Sequence, residues 1–419
     1  MTTRPVSPNL ALDEVVAQRR ARGETIAHFG FGESRLPVFP QLALRLAAGV
    51  HRSAYGPVAG DPTVRAAVAG YFGRRRVPTE PDQVVLAPGS KALLLALQIV
   101  VPGHVVLPRP SWVTYAPQAR LARKPVHVVP IATDHGGVPD PALLRRAVAG
   151  AQGQGLIVLT IPDNPTGTTA SPELVRRICA IAEEKDLLIV SDEIYRDLRH
   201  HPDVPFLSPA EVAPERTVVL TGLSKSMALG GWRIGAARFP AAGRWRSLRD
   251  AVLSIASEMW SALAGPMQEV AEYAFSEPPE LRTRVAEDAR LHAAVASAVH
   301  RLLIEAGATN SRPTGGFYCY PDFESLRAPM ADLGIRNSAQ LQQHLLEEHG
   351  VAVLSGHHFG DDSQALRFRV ATSMVYGDSE EEQMQALQSR DPAGLPHIRR
   401  QLDTLAAALA NLSGRWRRP

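Results

Sequence analysis

The chain has 419 residues, 45% hydrophobic and 21% charged, a balance that buries a sizeable core and excludes a disordered chain. Its 45 basic and 42 acidic side chains leave a net charge of +3, too even for nucleic acid to be the main partner. The start MTTRPVSPNLALDE has no apolar secretion signal, no apolar run reaches the roughly 18 residues of a membrane span, and Cys179 and Cys319 alone make neither a disulfide framework nor a metal site, so a reducing cytoplasm is the expected setting.

Asp61-Pro62 predicts a helix start, with an N-cap carboxylate before proline at the first helical position. From about residue 41 to about 240, helical patterns alternate with short β-branched runs, the pattern of βα units on a mostly parallel sheet. Strands are predicted at HVVLP (104–108), PVHVVP (125–130), GLIVLTIP (155–162), LLIVSDE (187–193) and RTVVLTG (216–222), near-continuous apolar runs suited to strands covered on both faces. Ser171-Pro172-Glu173 opens a helix that runs toward Glu184-Lys185. After residue 280 a long amphipathic segment, 284 to 307, stops at Gly307 and starts a second domain. That domain mixes strand-like GFYCY (316–320), VAVLS (351–355) and ALRFRVA (365–371) with helices near 338–349 and 395–412. The stretch 377–396 reads as a loop or broken helix, and the tail GRWRRP as a solvated end.

The chemistry-bearing pieces cluster at strand ends, where open α/β sheets bind ligands. Ala87-Pro88-Gly89-Ser90-Lys91 follows the strand VVL and opens the helix ALLLALQIV, so a phosphate can approach its backbone N–H groups. Asn164 lies in the turn IPDNPTG that ends a buried strand, and its amide can donate to a ligand lying across the sheet edge. Asp192, in SDEIY, terminates another apolar strand, where a buried carboxylate requires a cationic partner. Only four of the 45 basic residues are lysines, Lys91, Lys124, Lys185 and Lys225, so chemistry that needs an amine has few places to sit. Lys225 follows a predicted strand and precedes Arg233 by eight residues, and that arginine can pair bidentately with a phosphate. One ligand with a phosphate, a pyridine nitrogen, a phenolic oxygen and an aldehyde answers all of these pieces: pyridoxal 5′-phosphate, PLP.

In the order YGPVAGDPTVRAAVAGYF (55–72), PGSKALLLAL (88–97), PSWVTY (110–115), NPTG (164–167), DEIY (192–195), SK…GWRIG (224–235), GGFY (315–318) and LRFRVATS (366–373), the chain resembles the class I/II aminotransferases of the aspartate aminotransferase fold, fold type I. The resemblance implies an α/β fold: a large PLP-binding domain, 41–283, with a mostly parallel sheet flanked by helices, and a smaller α+β domain built from 1–40 and 284–419. It implies an aminotransferase acting between an α-amino acid and a 2-oxo acid. By that resemblance Lys225 forms the internal aldimine and shuttles the proton between Cα and C4′, Asp192 pairs with the pyridinium nitrogen, and Tyr195 and Asn164 bond the phenolate oxygen. Trp112 stacks on the ring, Ser90, the Lys91 backbone, Ser224 and Arg233 hold the phosphate, and Tyr55 reaches the phosphate of a neighbouring subunit, making a homodimer with shared sites. Arg367, four residues before Ala371, falls on the family's carboxylate-binding position, and the Gly32 backbone completes that end.

The chain departs from the family at Gly32-Glu33-Ser34-Arg35-Leu36, at Arg369 where a small residue is usual, and at Ser355-Gly356 where Pro-Gly is usual; Arg35 and Arg369 read as surface or core-edge cations, or as readers of an acidic or phosphate-bearing substrate. The stretch 257–266 is also unlike its commonest form and is expected at the dimer interface. The alternative is a lyase or a β- or γ-elimination or replacement enzyme, with chemistry like that of 1-aminocyclopropane-1-carboxylate synthase, in a specialised biosynthetic pathway. A non-catalytic regulator is disfavoured because every chemical position is filled. A Rossmann dehydrogenase is excluded because Gly30-Phe31-Gly32 continues as Glu-Ser-Arg, without G-x-G-x-x-G.

Overall fold

The structure, a computed structural model, describes residues 6–132, 134–150 and 154–412; the tail GRWRRP lies outside them. Eight strands form the main sheet: β1 (Val84–Pro88), β2 (His104–Arg109), β3 (Val126–Ala132), β4 (His135–Pro139), β5 (Gly155–Thr160), β6 (Leu187–Asp192), β7 (Thr217–Gly222) and β8 (Ile234–Arg238). Their spatial order is β1-β8-β7-β6-β5-β2-β3-β4. β8 runs antiparallel to both neighbours and β4 antiparallel to β3, while the other pairings are parallel.

The apolar runs are continuous because both faces of the sheet are covered. Leu156 and Val158 of β5 pack under the helix Ser90–Val100 through Leu93, Leu94 and Leu97, while Ile157 and Leu159 turn to the opposite face against Ile178 and Ile181 of the helix Pro172–Glu184. That second helix starts as its sequence predicts, with the Ser171 hydroxyl accepting from the Leu174 N–H and proline at the first turn. Asp61 also precedes its helix, Pro62–Gly73, yet its carboxylate caps nothing: Arg52 takes it in an ion pair.

The long helix spans Pro279–Glu305, starting at a proline five residues ahead of the predicted 284. Leu291, Val295, Val299 and Leu303 line it at helical spacing and pack on Phe368, Val370, Leu405 and Leu409 in a separate core. The N-terminal segment joins that core, since Ala27–His28 pairs in parallel with Val351–Ala352. Here the strands are shorter than predicted: Tyr318–Cys319, Val351–Ala352, Leu354–Ser355 and Phe368–Ala371. The predicted loop or broken helix at 377–396 contains a true helix, Glu380–Gln388, capped by Ser379 and begun by three glutamates that favour its positive end. Both cysteines are free and buried, with their thiols pushed up to about 12 by desolvation. Among the described residues no helix is long and apolar enough to cross a membrane.

Candidate active site

Register brings four chain segments to one sheet edge. Thr160 pairs with Asp192, Asp192 with Leu220, Gly222 with Gly235, and Gly235 with Ala87, so the C-terminal ends of β5, β6, β7 and β1 lie side by side. The chain leaves β1 through Gly89, which has φ +85° and lies against the Arg233 guanidinium where a Cβ would collide. A Cβ on Gly235 would likewise meet the backbone of Gly89 and Ser90. Two glycines thus bring an arginine and a helix N-terminus together, and the first N–H groups of the helix Ser90–Val100 have no partner within the helix. Arg233 donates to the Gly230 carbonyl at 2.9 Å and, among the described residues, has no carboxylate partner. Buried Ser224 lies in the short helix after β7 and buried Ser90 at the start of its own helix. The Lys91 ammonium lies 5.2 Å from the centre of the Trp112 ring, and burial and then Arg233 hold its pKa below the usual lysine value. This cradle is cationic.

Asp192 ends β6 fully buried. Its Oδ2 accepts from the Tyr115 hydroxyl at 2.9 Å, and that hydroxyl is also 2.8 Å from Thr160 Oγ1. Its Oδ1 has no partner among the described residues. Burial pushes the carboxyl up to about 6, against the pull of Tyr115, the Ile194 N–H and Lys225. A buried acceptor left without a donor costs about 1–3 kcal/mol, so the site asks for an N–H group at that oxygen, best a positive one.

Lys225 lies in the four-residue helical turn Leu223–Ser226 after β7, with Nζ donating to the Gly32 carbonyl at 2.6 Å. Burial lowers its ammonium to about 8; Arg369, Arg233 and Lys91 add to that, and Glu33 opposes it. A neutral amine is therefore accessible near physiological pH. Tyr195 and Tyr318 share a hydrogen bond of 2.7 Å between their hydroxyls, and both phenols are raised by burial, Tyr318 to about 12.

At the carboxylate end the structure corrects the expectation for Arg367. Asp322 and Asp361 hold its side chain at 2.8 and 3.1 Å on the rim. It lies just ahead of the strand Phe368–Ala371, bridged to the Asp322 backbone, so two acids claim it before it can reach the cleft. Arg369 is the arginine in the cleft. It is 0% exposed and donates to Asn164 Oδ1 at 3.1 Å, to the Gly30 carbonyl at 2.7 Å and to Asn9 Oδ1 at 3.0 Å. Its guanidinium carbon is 5.0 Å from the ring centres of Tyr318 and Phe359, its Nε is unpartnered, and among the described residues no carboxylate pairs with it. Arg369 thus departs from the surface or core-edge reading, whereas Arg35 fits it: half exposed and held by Glu33 and Asp13.

Lys225, Asp192, Tyr195, Asn164, Ser90, Lys91, Trp112, Ser224, Arg233 and Gly32 are therefore gathered around one cleft, and Arg367 is not. Tyr55 is 91% exposed on this chain, with no role in its own cleft. The 257–266 stretch closes one helix at Met259, which is exposed, and opens the next at Gly265. Sequence reasoning missed Tyr115 and Tyr318 as partners, although both stand in motifs already singled out, PSWVTY and GGFY; a strand-end carboxylate needing a second donor was the available signal. The cationic cradle, the orphaned Asp192 Oδ1 and the buried amine fit the phosphate, ring nitrogen and aldehyde of PLP.

The family described as "Aminotransferase class I and II" matches residues 28–377. The aspartate/prephenate aminotransferase of Thermus thermophilus is 30% identical over 382 residues, 88% of this chain and 92% of that protein. The aspartate aminotransferase of Bacillus subtilis is 30% identical over 383 residues, with the same coverages. Among solved structures, the Thermus thermophilus aspartate aminotransferase with maleate superposes with a TM-score of 0.78 at 27% identity, over 92% of this chain and 96% of that one.

Proposed function

The chain belongs to the class I and II aminotransferases and is a PLP-dependent enzyme that moves an amino group between an α-amino acid and a 2-oxo acid; from that premise we propose which residues carry the reaction. When bound, PLP supplies an aldehyde that takes up amino groups and a ring that accepts the electron pair left at the substrate Cα. In our reading the Lys91 and Ser90 backbone, Ser224 and Arg233 hold its phosphate, Trp112 covers its ring, and Asn164 and Tyr195 bond its phenolic oxygen. Asp192 keeps the proton on its ring nitrogen through Oδ1, while Tyr115 holds Oδ2 and so orients the carboxylate. Lys225 tethers the cofactor and then, as the free amine, moves the proton to and from the substrate Cα. Arg369, positioned by Asn164, Asn9 and Gly30, clamps the α-carboxylate. Gly32 holds the Lys225 amine through its carbonyl.

A cytoplasmic homodimer is part of this proposal, with Tyr55 reaching the partner's phosphate site and 257–266 at the interface; the exposure of Tyr55 supports it. We also read the chain as a cofactor-bearing unit, 41–283, and a second unit, 1–40 with 284–419, which the separately packed cores support. The observation that carries the site assignment is a buried amine beside a buried carboxylate oxygen that has no donor among the described residues, on neighbouring strand ends. Borohydride reduction of the loaded protein followed by peptide mass mapping tests it. The pyridoxyl group belongs on Lys225; finding it on Lys91 would overturn the assignment. The elimination alternative is not favoured, since the relatives named above are transaminases.

A further inference from the structure

Tyr195 and Tyr318 share one hydrogen bond but carry two hydrogens. Tyr195 is 3% exposed and Tyr318 0%, their hydroxyls lie 2.7 Å apart, and burial keeps both phenols protonated at neutral pH. Arg369 lowers both phenols against that rise, while Asp192 adds to the rise of Tyr195 and Asp163 to that of Tyr318. One hydroxyl donates to the other, so the second hydrogen needs an acceptor of its own. The surroundings decide which hydrogen that is. Tyr318 has one further acceptor in reach, the Gly32 carbonyl, at 3.5 Å, and Lys225 already donates to that carbonyl at 2.6 Å. The Tyr195 hydroxyl has no other partner among the described residues. Both hydrogens are therefore well used in only one arrangement, with Tyr318 donating to Tyr195 and Tyr195 donating to an oxygen held in the cleft.

The packing holds Tyr318 to this place. The two rings meet edge to face with centres 5.5 Å apart, and Gly316 lies against both, at a φ of +65° that favours glycine. A Cβ on Gly32 would stand 2.5 Å from the Tyr318 hydroxyl, so that hydroxyl fills the space a side chain would take. The guanidinium carbon of Arg369 lies 5.0 Å from the centre of the Tyr318 ring. Hydroxyl and ring thus serve different neighbours.

We infer, on the basis of the aminotransferase reading, that Tyr318 is a positioning residue for the reaction: its hydroxyl donates to Tyr195 and so turns the Tyr195 hydrogen onto the phenolic oxygen of PLP, while its ring supports the Arg369 guanidinium. A hydroxyl that accepts a hydrogen bond is a stronger donor in turn. Tyr195 therefore stabilises negative charge on the phenolic oxygen more than it would alone, and that oxygen holds less tightly the proton it shares with the nitrogen joining Lys225 to PLP. The proton then leaves at lower pH.

The test titrates the absorbance of the loaded protein against pH beside steady-state rates. Tyr318→Phe keeps the ring and removes the hydroxyl: the pH at which bound PLP changes absorbance should rise by about half a unit to one unit, and kcat should fall about three- to tenfold, with KM for each amino donor within about twofold. Tyr318→Leu removes the ring as well and should add a rise in KM of about three- to tenfold for every donor. In a Tyr195→Phe background Tyr318→Phe should move the absorbance pH no further, because Tyr318 acts through Tyr195. Gly32→Ala presses the Tyr318 hydroxyl aside without deleting it and should shift that pH in the same direction, which keeps the inference testable where Tyr318→Phe does not load. An unchanged absorbance pH in Tyr318→Phe or Gly32→Ala, or an equal further shift in the Tyr195→Phe background, would overturn the inference and leave the aminotransferase reading standing. A lower melting temperature with the pH and the KM–kcat pattern of the parent would overturn it too, since packing alone would then explain Tyr318. No conversion by any amino acid in the parent protein would contradict the aminotransferase reading itself, whereas the absorbance titration, which needs only bound PLP, would still judge the hydroxyl pair.

Discussion

The edge of the main sheet and the small sheet around Phe368–Ala371 both present charged groups to the cleft, but they select them differently. At the sheet edge each group follows directly from a strand end: Asp192 closes β6 and Lys225 comes three residues after β7. In the small sheet two arginines two residues apart compete for one position, and acids elsewhere in the chain decide between them. Asp322 and Asp361 capture Arg367, and Arg369 is left buried without a counter-ion among the described residues. Covalent position sets the first region, and long-range electrostatics sets the second.

The largest expected effect breaks the first region outright. Lys225→Ala should lower turnover by about 10⁴-fold or more, because the tethering amine and the proton carrier are lost together; it is read by steady-state rates beside the absorbance of bound PLP. Asp192→Ala should cost about 3–5 kcal/mol of barrier, since a neutral ring nitrogen is a poor electron acceptor. Near-normal turnover there would remove the ring-nitrogen pairing.

A smaller change sharpens the comparison without deleting a charge. The Tyr115 hydroxyl pulls the Asp192 pKa down from the value burial alone would give, so Tyr115→Phe should raise it. In the cofactor-free protein Asp192 protonates as pH falls through about 6, and PLP affinity should fall over that window. In Tyr115→Phe the fall should begin at higher pH, with turnover down by roughly tenfold. On the alkaline side, Lys225 deprotonates near 8 rather than at the usual lysine value, so the rate of PLP attachment should rise through that pH. Glu33→Gln should move that rise to lower pH, because Glu33 holds the ammonium up.

Much of this was legible in the sequence. Apolar runs ending in a functional residue placed β5, β6 and β7 within about two residues, and the Ser171 cap fell where expected. Each of those signals is local. The family position of Arg367 was legible too, but its partners come from residues 322 and 361, and no local pattern announces that an acid 45 positions earlier will face it. The Tyr115–Asp192 bond is equally non-local, since it depends on β2 and β6 flanking β5. Short strands such as Tyr318–Cys319 are overextended in a sequence reading because neighbours such as Phe317 are buried in turns outside the ladder, and burial there looks the same in sequence as burial in a strand.

The smallest expected effect is that of Arg367→Ala on folding. Its pairs are partly exposed, but Asp361 is almost fully buried, so stability should fall by roughly 1–2 kcal/mol in denaturant titration, with PLP binding unchanged.

The most direct test of the account is the Michaelis constant for a panel of amino acids in Arg369→Gln and Arg367→Gln, with PLP absorbance confirming that each protein is folded and loaded. Loss of a charge-assisted clamp on the carboxylate common to all substrates should raise KM about 10- to 100-fold for every amino acid in Arg369→Gln. Arg367→Gln should stay within about threefold of the parent for all of them. The reverse pattern, with Arg369→Gln nearly silent and Arg367→Gln weak toward every substrate, would contradict the assignment of the carboxylate clamp.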